Sequence, residues 1–120
     1  MSIIITGSLG LIGGEVSKYL SRKGHKVIGI DNDTRSFLFE DVRPLSKSEL
    51  DQKADAIGED KHYNVDIRNT EDINRIFKEC TSTEQISAVI HCAAQPSHDW
   101  AVKDPIFDFE VNAKGTLNIC

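Results

Sequence analysis

Apolar positions along this chain fall into two alternating rhythms. Ile3-Ile4-Ile5 is a short run of β-branched residues, the pattern of a strand covered on both faces in a parallel sheet. After Thr6-Gly7-Ser8-Leu9-Gly10, the residues Leu11, Ile12, Val16 and Leu20 recur at helical spacing and predict a helix over 11–23, ended by Gly24-His25. Lys26-Val27-Ile28-Gly29-Ile30 predicts a second strand closed by Asp31, and His62-Tyr63-Asn64-Val65 a third. Ile73, Ile76 and Phe77 make one stripe of a helix over 71–80, with Thr70 as its N-cap. A fourth strand covers 86–92, centred on Ala88-Val89-Ile90. The last segment has Pro105 at a first-turn position and apolar residues at Ile106, Phe109, Val111 and Leu117, predicting a helix over 106–120. Strands alternating with helices predict an α/β fold, the N-terminal part of a doubly wound parallel sheet of Rossmann type. Right-handed crossovers give the strand order 3-2-1-4, with Ile4, Ile28, Val65 and Val89 buried.

Residues 36–61 interrupt the alternation. Phe37, Leu38 and Phe39 are apolar, Pro44 breaks the chain, and 46–57 has the makings of a short polar helix charged on most faces. An exposed insertion is the expectation.

The glycines add chemistry to this outline. Gly7, Gly10 and Gly13 join the first strand to the first helix, an arrangement that aims free N–H groups and a positive dipole end at one point, where a diphosphate fits. Gly7 permits the tight turn, Gly10 the approach of a phosphate, and Gly13 the close packing of helix on strand. The spacing is GxxGxxG, and a lone triplet of this kind is weak on its own. Asp31 strengthens it. It lies at the end of the second strand about twenty residues on, where a carboxylate accepts from both hydroxyls of an adenine ribose. Against a 2′-phosphate about 4 Å away it costs on the order of 4 kcal/mol at an effective dielectric near 20, which favours NAD over NADP. Arg35 has three roles open to it: stacking on the adenine, touching the ribose, or meeting a 2′-phosphate. Asp66 and Ile67 end the third strand, where an acid and an N–H suit the edge of an adenine, although such acids also serve as simple turn formers. Small residues after the fourth strand, Ala93 and Ala94, leave room for the middle of a dinucleotide. Asn112, inside the last helix, suits a side-chain anchor for a neighbouring loop.

Charge and composition narrow the partners. Fourteen Lys and Arg against nineteen Asp and Glu leave a net charge of −5 with no basic stripe, which disfavours nucleic acid. No apolar run reaches the eighteen or so residues of a membrane helix, and no leader is expected ahead of the first strand. No membrane partner and a cytoplasmic location are the expectations. Cys80, Cys92 and Cys120 lack CxxC spacing, so reduced thiols are expected, with neither a disulfide framework nor a metal site. The last helix reaches Cys120 without a cap. Residues 1–120 are therefore expected to be the N-terminal part of a truncated domain, marginal by itself because its fourth strand has an unpaired edge.

Taken in order, the words TGSLGLIGG, IDN, VDIRN, HCAAQPSHDWA and VNAKGTLN resemble the extended short-chain dehydrogenase/reductase family of NAD-dependent epimerases and dehydratases, over essentially the whole chain. The stretch AAQPSHDWA and the insertion after Asp31 are most similar to its CDP-sugar 2-epimerase group. Galactose epimerases of the family carry a Lys where Pro96 stands here. The resemblance implies that Gly7, Gly10, Leu11, Ile12 and Gly13 bind the cofactor diphosphate, Asp31 and Asn32 the ribose, and Asp66 and Ile67 the adenine. Ala93, Ala94 and Gln95 would line the middle of the cofactor, Asn112 would buttress it, and Ser97, His98 and Trp100 would sit nearest a nucleotide-sugar, with a CDP-sugar expected. It further implies transient oxidation of the sugar by NAD+ with hydride return, and a homo-oligomeric full-length enzyme. A non-catalytic NAD-sensing module, or a 4,6-dehydratase or reductase, stays open. The family's YxxxK signature occurs once, as Tyr19-Leu20-Ser21-Arg22-Lys23. It falls at the far end of the first helix, roughly 18 Å from the glycine turn at about 1.5 Å per residue, and is set aside. No residue of this chain is assigned a catalytic role. Ser97-His98-Asp99 are adjacent and cannot readily aim at one another as a relay.

Overall fold

The structure, a computed structural model, describes residues 1–38, 43 and 45–120; Phe39, Pro44 and the Phe37 side chain lie outside the described set. Four parallel strands, β1 (Ser2–Thr6), β2 (Lys26–Ile30), β3 (Lys61–Tyr63) and β4 (Ile86–His91), form one sheet in the order β3-β2-β1-β4. Every residue of β1 is buried, because β1 is central and both of its faces are covered. Ile3 and Ile5 join Val27 under α1 (Leu11–Arg22), whose Val16 and Leu20 close that layer. Ile4, Ile28 and Ile30 point the other way, onto Ile73, Ile76 and Cys80 of α4 (Thr70–Thr83). The isoleucine run thus serves two cores, each buried side chain contributing about 1.5–3 kcal/mol.

Between β2 and β3 run α2 (Thr34–Leu38) and α3 (Lys47–Ala56). The polar helix forms, opened by a capping box in which Ser46 accepts from the Glu49 N–H and Glu49 accepts from the Ser46 N–H. The Arg43 guanidinium and the Ser46 bonds hold the Glu49 carboxyl down at about 2. Contrary to the expectation of an exposed insertion, Leu50, Ala54 and Ile57 pack on Leu9. Their i, i+4, i+7 spacing gives the otherwise charged helix one apolar seam.

Other expectations need correction. Strand β3 stops at Tyr63 because only three residues pair with β2; Val65 lies beyond it, half-buried at the rim of the core. Asn69, not Thr70, caps α4, accepting from the Asp72 N–H at 3.1 Å. Val89 is 38% exposed, since β4 is the outermost strand on its side. The last helix is built in three parts: α6 (Pro105–Phe109), a π-helical turn (Glu110–Lys114) and α7 (Gly115–Ile119). The wide turn shifts the packed face, so that Phe107, Val111, Gly115 and Ile119 meet the core while Ile106, Phe109 and Leu117 are exposed.

Candidate functional site

A cleft of about 300 Å³ opens at the carboxyl ends of the strands, lined by the glycine turn, the segment after β2, the segment after β3 and the start of the β4 loop. Two glycines are fixed by close approach. Gly7 has φ +66°, and a Cβ there would lie 2.6 Å from the Ala93 nitrogen. A Cβ on Gly13 would lie 2.0 Å from the Gly7 carbonyl oxygen, so helix and turn meet backbone to backbone. Gly10 has more room, its nearest neighbour being the Gly7 oxygen at 3.2 Å. It precedes α1 without a side-chain cap, and the first turn of α1 carries no acid. The first N–H groups of α1 therefore keep their donor capacity and dipole toward the cleft. Leu11 and Ile12 stand exposed at the lip.

Asp31 faces this helix end. Its Oδ2 accepts from the Leu9 N–H at 2.9 Å and its Oδ1 from the Asp33 N–H at 2.8 Å. A carboxylate offers about four acceptor positions; two orient the group and two remain. Burial pushes its pKa up, and the Asp33 and Leu9 N–H groups and the charge of His62 only partly offset that. Asn32 turns its amide oxygen onto the Thr34 N–H at 3.2 Å, and Arg35 is exposed on the cleft wall. Across from them, Asp66 is engaged by Arg68, whose Nη2 lies 2.7 Å from Oδ2 and whose N–H lies 2.9 Å from Oδ1. Burial alone raises the Asp66 carboxyl, but the Arg68 bonds outweigh it and hold it below the usual range. Ile67 borders the cleft while its side chain belongs to the core. Its carbonyl accepts from Asn118 Nδ2 at 2.9 Å.

Ala93 and Ala94 line the cleft; Gln95 does not. Only 6% exposed, it donates its N–H to Asn112 Oδ1 at 2.9 Å and its Nε2 to Asp108 Oδ1 at 2.8 Å. Gln95 is thus a scaffold of the loop, and Asn112 on the π-turn holds it. Asn112→Ala leaves a part-buried N–H without its partner, at about 1–3 kcal/mol. The expected results are a lower melting temperature and faster amide exchange at Gln95. Ser97 caps α5 (His98–Lys103) by accepting from the Trp100 N–H at 3.3 Å, and His98 is exposed in its first turn. Neither lines the main cleft or an adjoining cavity of about 430 Å³. Trp100 does line the latter, and its Nε1 donates to the Leu38 carbonyl at 2.8 Å, tying α5 to α2. The three residues expected nearest a sugar therefore do not converge on one cavity.

Backbone donors and one relay were missed by sequence reasoning. The Leu9 and Asp33 N–H groups leave no trace in residue type. The relay runs from the Ala93 N–H to Thr6 Oγ1 (3.3 Å), Thr6 to His91 Nδ1 (2.6 Å), His91 Nε2 to Thr116 Oγ1 (3.0 Å) and Thr116 to the Asn112 carbonyl (2.7 Å). Each hydroxyl accepts once and donates once, which makes His91 a neutral Nε2–H tautomer. Burial lowers its pKa accordingly. Only the register that pairs Thr6 with His91 brings these side chains together. Tyr19 is exposed with the Lys23 ammonium 5.6 Å from its ring centre, away from the cleft-lining residues. Among the described residues no helix is long and apolar enough to cross a membrane, and no His, Cys, Asp and Glu cluster suits a metal ion.

The model of the NAD dependent epimerase/dehydratase family matches residues 3–120. A UDP-glucuronate 4-epimerase of Thermodesulfobacterium geofontis is 32% identical over 97% of this chain and 33% of its own length. A CDP-paratose 2-epimerase of Salmonella typhi is 27% identical over 99% of this chain and 31% of its own. Among solved structures, the UDP-glucose 4-epimerase of Thermus thermophilus in complex with NAD aligns with a TM-score of 0.73 at 30% identity, covering 99% of this chain and 32% of that one. The chain spans about a third of the length of these relatives. Glycine turn, the carboxylate oriented at the end of β2 and sheet order agree with a match that runs from the first strand to the last residue, and the chain belongs to the NAD-dependent epimerase/dehydratase family.

Proposed function

We propose that this chain is the cofactor-binding part of an NAD-dependent nucleotide-sugar epimerase, with CDP-paratose as the substrate epimerised at C2. The observation that carries the cofactor half is the Asp31 carboxylate, held by two backbone N–H groups beside an uncapped helix N-terminus. The residues fit the dinucleotide, for the cleft has a backbone cradle in which a Cβ at Gly7 or Gly13 would collide. Bound NAD+ supplies a reversible hydride acceptor. Gly7, Gly10 and Gly13 would leave room for the diphosphate, and the N–H groups of Leu11, Ile12 and Gly13 at the start of α1 would receive it, since the Gly7 and Gly10 N–H groups are given to the Ile30 and Gly7 carbonyls. Asp31 and Asn32 would take the adenosine ribose, Arg35 and Asp66 would flank the adenine with the Ile67 backbone, and Ala93-Ala94 would leave the space in which the nicotinamide ribose lies. Gln95 and Asn112 would fix that loop from behind.

The Tyr–Lys pair that moves the hydroxyl proton is assigned to the remainder of the full-length protein, and so is most of the sugar recognition. Ser97, His98 and Trp100 would contribute from this part, and the exposed Ile106, Phe109 and Leu117 support a homo-oligomer of the whole enzyme. The loop word AAQPSHDWA, with Pro96 in place of the Lys of galactose epimerases, favours a CDP-sugar over a UDP-sugar. Incubating the full-length protein with CDP-paratose and with UDP-glucose decides. Formation of CDP-tyvelose is expected; turnover of UDP-glucose alone would overturn the substrate, and clean NAD binding without epimerisation of either would favour a sensing role.

A further inference from the structure

Three buried side-chain atoms among the described residues lack a hydrogen-bond partner, and two belong to one pair, Glu59 Oε1 and His62 Nε2. The pair is nearly sealed: His62 Nδ1 lies 2.7 Å from Glu59 Oε2, with the side chains 4% and 0% exposed. Its position is set by β2. The register puts His62 beside Gly29, and a Cβ on Gly29 would lie 2.0 Å from Glu59 Oε2, so the carboxylate lies flat on the strand backbone. Asp31 follows on the same face, about 6.6 Å along the strand, with β3 about 4.8 Å to the side. A buried acid and imidazole in contact therefore underlie the group that grips the ribose.

The charges around them are few. Glu59 from the turn after α3, Asp51 from α3 and Asp31 from the end of β2 face His62, while His62 and Asp33 face Asp31. Burial alone would lower the His62 pKa, but the Glu59 hydrogen bond and the three carboxylates outweigh it and raise it above 6.5. The protonated imidazole contributes its stability fully below the unfolded value of about 6.5, and loses it as pH rises through the higher folded value.

We propose that His62, anchored by Glu59, is a positioning residue whose positive charge keeps the neighbouring Asp31 carboxylate anionic and so sets the acidic limit of NAD binding. The proposal rests on the cofactor assignment above. His62→Gln retains a donor for Glu59 and removes the charge; Glu59→Gln leaves the imidazole in place but removes what holds it charged. In both variants the Asp31 carboxyl midpoint, followed by ¹³C NMR of the cofactor-free chain, is expected to rise. Calorimetric NAD+ affinity on the acidic limb should weaken about tenfold, with affinity at neutral pH retained. Circular dichroism melts show which variants fold, and either one suffices. An unmoved Asp31 midpoint, or affinity lost equally at every pH, overturns the proposal. If the midpoint moves while no form binds NAD+, the cofactor assignment falls and the electrostatic coupling stands.

Discussion

Gly13→Ala is expected to abolish measurable NAD binding and to destabilise the fold by about 3 kcal/mol, the upper part of the range for overpacking. The added Cβ would meet the Gly7 oxygen at 2.0 Å, the Gly7 carbonyl carbon at 2.7 Å and the Ser8 Cα at 3.0 Å. All three are backbone atoms, so no side-chain rotation relieves the clash. Gly7 cannot retreat either, because the Ala93 backbone stands behind it. The helix must lift from the strand, and the N–H groups proposed to receive the diphosphate go with it. Gly14→Ala is the control. Its Cβ finds only the Ser8 oxygen at 3.5 Å, ordinary contact, and an alanine inside a helix is favoured by up to about 1 kcal/mol. Urea melts and calorimetric NAD+ titrations of the two variants separate packing from composition; wild-type affinity in Gly13→Ala would refute the cradle.

Asp31→Ala should weaken NAD+ binding by about tenfold to a hundredfold, the worth of one hydrogen bond to a charged group at about 1.5–3 kcal/mol. It should also erase most of the preference over NADP+, because a repulsion of about 4 kcal/mol disappears with the charge. Asp31→Asn separates the contributions, since the amide oxygen still accepts a bond but carries no charge. Both substitutions leave the Leu9 or Asp33 N–H short of an acceptor, so lower melting temperatures accompany them. The wild-type chain has its own pH dependence. Burial raises the Asp31 carboxyl, so it protonates at a higher pH than an exposed acid, and NAD+ affinity is expected to decline early on acidification. Unchanged affinity for both dinucleotides in Asp31→Ala would show that this carboxylate does not read the ribose.

What the chain discloses as a string of letters follows from how local each feature is. The isoleucine run, the glycine turn and the acid after β2 are short-range signals, and the sheet order follows from them with right-handed crossovers. Val89 was misjudged because burial depends on what covers a strand, not on its composition. Leu50, Ala54 and Ile57 held helical spacing in plain view, but the charges around them masked a seam that becomes apolar only against Leu9. Ile106, Phe109 and Leu117 fit a helical stripe, but Ile106 and Phe109 stand before the π-turn and the face that packs is that of Phe107, Val111, Gly115 and Ile119. Glu59 and His62 are three residues apart and are brought beneath Asp31 only through the pairing of β2 with β3, which no local pattern encodes.

The wide turn at Glu110–Lys114 stores one residue more than an α-helical turn, because its hydrogen bonds reach five residues instead of four. An α-helix turns about 100° per residue, and the turn absorbs the rotation that one extra residue would otherwise impose. The halves of the helix therefore keep their own attachments. Asn112 holds Gln95 in the loop after β4, while Gly115, where a Cβ would lie 2.5 Å from Ile67, and Asn118, which donates to the Ile67 carbonyl, serve the segment after β3. A deletion at Ala113 or Lys114, both exposed, would let the turn close to an ordinary α-helical one with the two walls of the cleft still in phase.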